Sequence, residues 1–174
     1  KELAPEVNVY EDYHQALDDD NIDAVAIATP AETHVDIAMA AIDAGKDVFV
    51  EKPISLNVDD GKALQLKARE HKRILMVGHL LEYHPSVLKL RKLLADGELG
   101  KLNYIYSHRL NFGKIRTEEN ALWSFAPHDI SVILRLVGEL PLAVTCVGGN
   151  YITQNLADVT VSNLLFRNGV KAHI

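Results

Sequence analysis

Ala24-Val25-Ala26-Ile27-Ala28-Thr29-Pro30-Ala31-Glu32, followed by Val48-Phe49-Val50-Glu51-Lys52-Pro53, is the stretch that decides the fold. Ala24 to Ala28 is an unbroken apolar run of strand length, the pattern of a parallel strand buried on both faces. A helix start follows: Thr29 can cap, Pro30 suits the first helical position, and Glu32 completes a capping box. Val35, Ala38, Met39 and Ile42 recur at i, i+3, i+4 and i+7 and give that helix one apolar face. Gly45 supplies the left-handed stop, and Val48 to Val50 is a second strand. A helical crossover between two strands makes them parallel.

Outward from this unit the pattern repeats. Asn57 can cap a helix reaching His71, and Ile74 to Val77 reads as a third strand. Asp18-Asp19-Asp20-Asn21 on the other side reads as a surface loop. After Gly78 the style changes. The spacing predicts a helix over 85–95 and an alternating strand over 102–110, with Tyr104, Tyr106 and His108 on one face. A helix is expected from Pro127 to Gly138, with strands near 143–147 and 159–166 and a hairpin turn at Asn168-Gly169. The expected fold class is α/β. Residues 1–78 form part of a Rossmann-like doubly wound parallel sheet that binds a dinucleotide. Residues 79–174 form a partial α+β substrate and oligomerisation domain with a mostly antiparallel sheet.

Composition narrows the function classes. The 174 residues carry a net charge of −6 with the acids spread along the chain, which disfavours a nucleic-acid partner. No apolar run approaches the roughly 18 residues of a membrane span. The single cysteine, Cys146, rules out an internal disulfide and fits a cytoplasmic location. The eight histidines show no His-Glu-x-x-His spacing, so no metal site is expected, and no Gly-x-Ser-x-Gly elbow points to serine catalysis. The chain lacks an initiator Met and an apolar leader, so further sequence is expected upstream.

Four places could carry chemistry. Glu51-Lys52-Pro53 follows a parallel strand, at the edge where open α/β sheets take ligands. Lys52 there can polarise an oxygen or move a proton; a surface Glu–Lys pair explains the same residues. Thr29, Pro30 and His34 open a helix beside that edge, where backbone N–H groups suit an anion; simple capping is the alternative. His128 and Asp129 follow Trp123-Ser124-Phe125-Ala126-Pro127. In the first turn of a helix, His128 would favour its neutral form and suit a general base, or it could be a packed residue. Arg109, Lys114 and Arg116 surround Asn111-Phe112-Gly113 and could hold a carboxylate or diphosphate, or be solvated loop charges.

Taken together, Ala26-Ile27-Ala28-Thr29-Pro30 with His34, and Ala44-Gly45-Lys46-Asp47 running into Glu51-Lys52-Pro53, resemble the glucose-fructose oxidoreductase/inositol dehydrogenase family. Within it, Tyr106-Ser107-His108-Arg109-Leu110-Asn111 and Trp123 to Ile130 look most like the UDP-N-acetylglucosamine and UDP-N-acetylglucosaminuronate 3-dehydrogenases. The resemblance implies an NAD- or NADP-dependent sugar dehydrogenase, with NAD favoured, catalytic Lys52 and His128, and a homo-oligomer. It places Thr29, Pro30, His34, Glu51, Lys52 and Pro53 at the nicotinamide. The substrate would be a sugar or nucleotide sugar oxidised at C3, held by His128 and, on the charge argument, by Arg109, Lys114 and Arg116. Two departures stand out. Ser124 occupies the position, four before His128, where many members carry Asp. No Gly-x-Gly-x-x-Gly occurs, so that loop is expected upstream, and this stretch alone is expected to bind cofactor poorly, to be inactive by itself and to expose sheet edges. The competing reading is a sugar-binding or dimerising module without a cofactor site.

Overall fold

The computed structural model describes residues 6–110 and 119–174. The chain divides into two compact units, Lys1–Gly78 and His79–Ile174. The first runs α1 (Tyr13–Leu17), β1 (Ala24–Ile27), a 3₁₀ turn (Ala31–Thr33), α2 (His34–Asp43), β2 (Asp47–Val50), α3 (Val58–Glu70) and β3 (Leu75–Val77). All pairings in its sheet are parallel, in the order β1-β2-β3, as the helical crossovers require.

Local signals set most of these elements. The Asn57 side chain accepts from the Asp60 N–H at 2.9 Å and starts α3. Gly45, at φ +73°, lets the chain leave α2 in the left-handed conformation. The Asp12 carboxylate caps α1, a short helix that carries too little apolar periodicity to be read from sequence. Helices α2 and α3 pack on each other and share one core with the sheet, including Ile27, Ala38, Ala41, Ile42, Val48, Val50 and Leu64. Ile42 and Leu64 are fully buried, each contributing about 1.5–3 kcal/mol relative to exposure.

Two expectations fail here. The apolar strand run is not covered on both faces. Ala26, Phe49 and Met76 lie side by side in the register and stay exposed, because both packing helices belong to the opposite side. The capping box at Thr29 does not form either. The Thr33 hydroxyl lies instead 2.7 Å from Thr29 Oγ1 and 2.8 Å from the Pro30 carbonyl oxygen, a 3₁₀ turn intervenes, and α2 begins only at His34.

The second unit runs a 3₁₀ turn (Leu80–Tyr83), α4 (Pro85–Ala95), β4 (Tyr104–Tyr106), α5 (Ala121–Val137), β5 (Ala143–Gly149), β6 (Val159–Leu165) and β7 (Lys171–His173). The sheet order is β4-β7-β6-β5, with β4–β7 parallel and the other two pairings antiparallel. Gly169, at φ +89°, turns β6 into β7 where Asn168-Gly169 was expected to. Ile133 of α5 packs on Leu164, Phe166, Val170 and Ala172 of the sheet. On the other face Tyr104, Tyr106, His108 and His173 form a run of ring contacts at 5.3–5.7 Å centroid spacing. The alternation expected over 102–110 survives as a strand only over Tyr104–Tyr106.

Candidate active site

Three strand ends meet at the carboxyl edge of the first sheet. Thr29 and Pro30 follow β1 and are exposed; Glu51-Lys52-Pro53 follows the central strand β2; the buried Gly78 follows β3. The Glu51 N–H donates to the Ile27 carbonyl at 2.9 Å and the Gly78 N–H to the Val50 carbonyl at 2.8 Å, so the hydrogen-bonded ladder reaches this edge. The Glu51 side chain lies across Gly78. A Cβ at position 78 would stand 3.1 Å from the carboxylate, so the Glu51 side chain would have to shift by a few tenths of an ångström to admit it. The Lys52–Pro53 peptide is cis. Lys52 is half-buried and Pro53 buried.

His34 sits beneath this edge. It is 1% exposed, with Nδ1 at 2.7 Å from the Pro53 carbonyl oxygen and Nε2 at 2.9 Å from that of Thr29. Sequence reading placed His34 among groups lining a cofactor; the structure places it inside, on the buried face of α2 with Ala38 and Ala41. Its i, i+4, i+7 spacing to those alanines was the available signal.

In the second unit, Ser124, His128 and Asp129 all lie on α5. The helix begins at Ala121, where the Asn120 side chain accepts from the Trp123 N–H at 3.0 Å, and it runs through Pro127. His128 is therefore the eighth helical residue, not a first-turn residue. The dipole effect fades within the first turn, so the helix-end argument for its neutral form does not apply. Pro127 was read as a start because proline favours that position; here it costs the helix one N–H donor, and α5 continues because its apolar face is packed.

Asp129 is buried and clamped: the Ser107 hydroxyl donates to one carboxylate oxygen at 2.6 Å and Arg109 Nε to the other at 2.6 Å. This ties α5 to the segment leaving β4. Arg109 thus has one face committed to Asp129, which sequence reading missed because the partners are 20 residues apart. Lys114 and Arg116 lie outside the described residues.

Arg109 and Asp129 line a cavity of about 510 Å³ that also takes in Ser124, Phe125, Asp158 and His173. His128, one residue before Asp129, is not among its lining residues. Asp158 closes the 151–158 turn. Backbone N–H donation from Ile152, joined by Thr153 and Tyr151, holds its carboxyl below the ordinary carboxylate value. Among the described residues, no three His, Cys, Asp or Glu side chains gather as metal ligands would, and no helix is long and apolar enough to cross a membrane.

Comparison with known proteins agrees with this geometry. Residues 2–79 match the oxidoreductase family with NAD-binding Rossmann fold, and residues 87–174 match the GFO/IDH/MocA C-terminal domain. The UDP-N-acetylglucosamine 3-dehydrogenase of Acidithiobacillus ferrooxidans is 31% identical over 88% of this chain and 48% of its own length. The 2,7-anhydro-N-acetylneuraminate hydratase of Mediterraneibacter gnavus is 31% identical over 86% of this chain and 42% of its own. Among solved structures, a putative oxidoreductase from Bacillus subtilis superposes with a TM-score of 0.86 at 26% identity, covering 97% of this chain and 50% of that one. The chain thus spans about half the length of the relatives it matches. A parallel strand–helix–strand unit ending in Glu51-Lys52-Pro53, a second unit with a mixed sheet, and matches over both units together mean that this chain belongs to the Gfo/Idh/MocA oxidoreductase family, with its NAD-binding Rossmann fold.

Proposed function

We propose that this chain supplies Lys52 and His128 to a nicotinamide-dependent oxidation of a sugar or nucleotide-sugar hydroxyl. The observation that carries the reading is the setting of Lys52. It stands at the carboxyl end of the central strand β2, with Glu51 laid across Gly78 on one side and the Pro53 carbonyl held by His34 on the other. Exposed Thr29 and Pro30 beside it leave an open edge of the kind that receives a nucleotide in parallel sheets. These residues fit a nicotinamide, which, when bound, supplies the hydride acceptor.

The chain's own task is the proton. As a hydroxyl carbon gives up hydride, its oxygen must lose a proton, and Lys52 and His128 are the two groups we assign to take or steer it. Arg109, oriented by Asp129, lines the 510 Å³ cavity of the second unit, and the nucleotide-sugar reading with reaction at C3 draws on the relative from Acidithiobacillus ferrooxidans.

The test is turnover by the full-length protein with NAD or NADP and UDP-N-acetylglucosamine, its uronate or myo-inositol. Reduced nicotinamide is read by absorbance and sugar products by mass spectrometry. Oxidation of a UDP-sugar supports the whole reading. Activity with inositol alone keeps the chemistry and discards the nucleotide sugar. Conversion of a sugar with no net cofactor reduction favours chemistry of the kind named for the Mediterraneibacter gnavus relative. Bound cofactor with no sugar converted at all overturns it.

A further inference from the structure

We propose that His34 is the positioning residue for Lys52: its buried ring locks the loops after β1 and β2 into one piece. The inference rests on the catalytic role given to Lys52 above. Three observations carry it. The ring is 1% exposed, so it can act only through its neighbours. Its two nitrogens lie 2.7 Å and 2.9 Å from carbonyl oxygens of two separate loops, Pro53 directly after Lys52 and Thr29 directly before Pro30. The helix carrying it is set hard against the sheet, because Ala38 and Ala41 on the same face are fully buried and small.

Imidazole suits this task for a geometric reason. It is rigid and has polar atoms on opposite sides of the ring, so one side chain can span two strand ends. Both facing atoms are carbonyl oxygens, which only accept; a neutral ring donates to one of them at a time and an imidazolium to both. The Pro53 carbonyl is buried, and depriving it of its donor is costly, so removing the ring favours movement of the loop that carries Lys52. The Thr33 hydroxyl contacts with Thr29 Oγ1 and the Pro30 carbonyl further stiffen the first loop, and the Pro53 carbonyl is where the ring reaches the second. Misplacing a reacting group by about 1 Å costs on the order of 10²-fold in rate.

The experiment compares His34→Phe and His34→Gln with the parent in the full-length protein. Three quantities are read on folded enzyme: kcat, KM for cofactor and sugar, and the NMR resonance of 13C-dimethylated Lys52, assigned with Lys52→Arg. Positioning predicts that the Phe variant loses on the order of 10²-fold in kcat with KM changed by less than about threefold, and that the Lys52 resonance moves. The Gln variant, which keeps an amide donor, recovers most of both. A folded Phe variant with parental kcat and an unmoved resonance overturns the proposal. So does a fall in thermal stability alone. If His34→Phe does not fold, His34→Leu, which also lacks a donor, takes its place: a fall in kcat with a moved resonance upholds the proposal, and parental values of both overturn it. Should the parent convert no sugar, the functional reading fails separately. The resonance then decides: a shift in the Phe variant that Gln reverses upholds the positioning role, and its absence removes it.

Discussion

At the scale of single residues, the assignments concentrate on Lys52 and His128. Lys52→Ala is expected to lower turnover by about 10²-fold or more while cofactor binding, followed by nicotinamide fluorescence, remains detectable. An active Lys52→Ala enzyme removes the role given to it. His128→Ala is expected to lower kcat by about 10²–10⁴-fold, with unchanged rates counting against a proton-transfer role. The place of Lys52 after β2 was legible in sequence because a charged tripeptide directly after an apolar strand is a local pattern. Its supports were less so. Gly78 reads as a strand end, and only the structure reveals that a side chain from the neighbouring strand lies across it. Ser107 carried no signal, since a serine in an alternating strand is ordinary.

At the scale of elements, two clamps lend themselves to measurement. Asp129 holds α5 to the segment leaving β4 through Ser107 and Arg109. Asp129→Ala is expected to lower the unfolding free energy in urea by about 1–3 kcal/mol, toward the lower end because the Arg109 side chain reaches water. Asp129→Asn, which keeps one acceptor oxygen, is expected to lose less. The second clamp is Asp158. Its carboxyl titrates below the ordinary value because the folded turn donates N–H groups to the charged form. The stabilisation is therefore complete above the unfolded-state value and is lost as pH falls through the lower folded-state value. Titrating from about pH 5 to about pH 2.5 should shift the Tyr151 and Ile152 amide resonances late in that range, and Asp158→Asn should abolish the transition. Amides that follow an ordinary carboxylate curve would argue against the clamp.

At the scale of the whole molecule, stability is expected to be uneven. In the first unit β2 is flanked by a strand on both sides and its buried residues are Val48 and Val50. In the second, β5 is an edge strand and almost wholly exposed. Hydrogen exchange should find the amides of Val48 to Glu51 among the slowest and those of β5 faster than those of β6; equal protection across both sheets would contradict this. The sequence by itself determined the parallel strand–helix–strand unit, the caps at Asn57 and Gly45, the turn at Gly169 and the place of Glu51-Lys52-Pro53. Each of these is written in a short window of periodicity or a single backbone requirement. It did not determine where α5 begins, because a proline favoured at helix starts competed with the Asn120 cap and only packing of the whole apolar face resolved the contest. Nor did it determine which sheet face stays open, that His34 reaches Pro53, or what Asp129 holds. The last two rest on contacts between residues 19 to 22 positions apart, which chain reversal brings together and which no local pattern encodes.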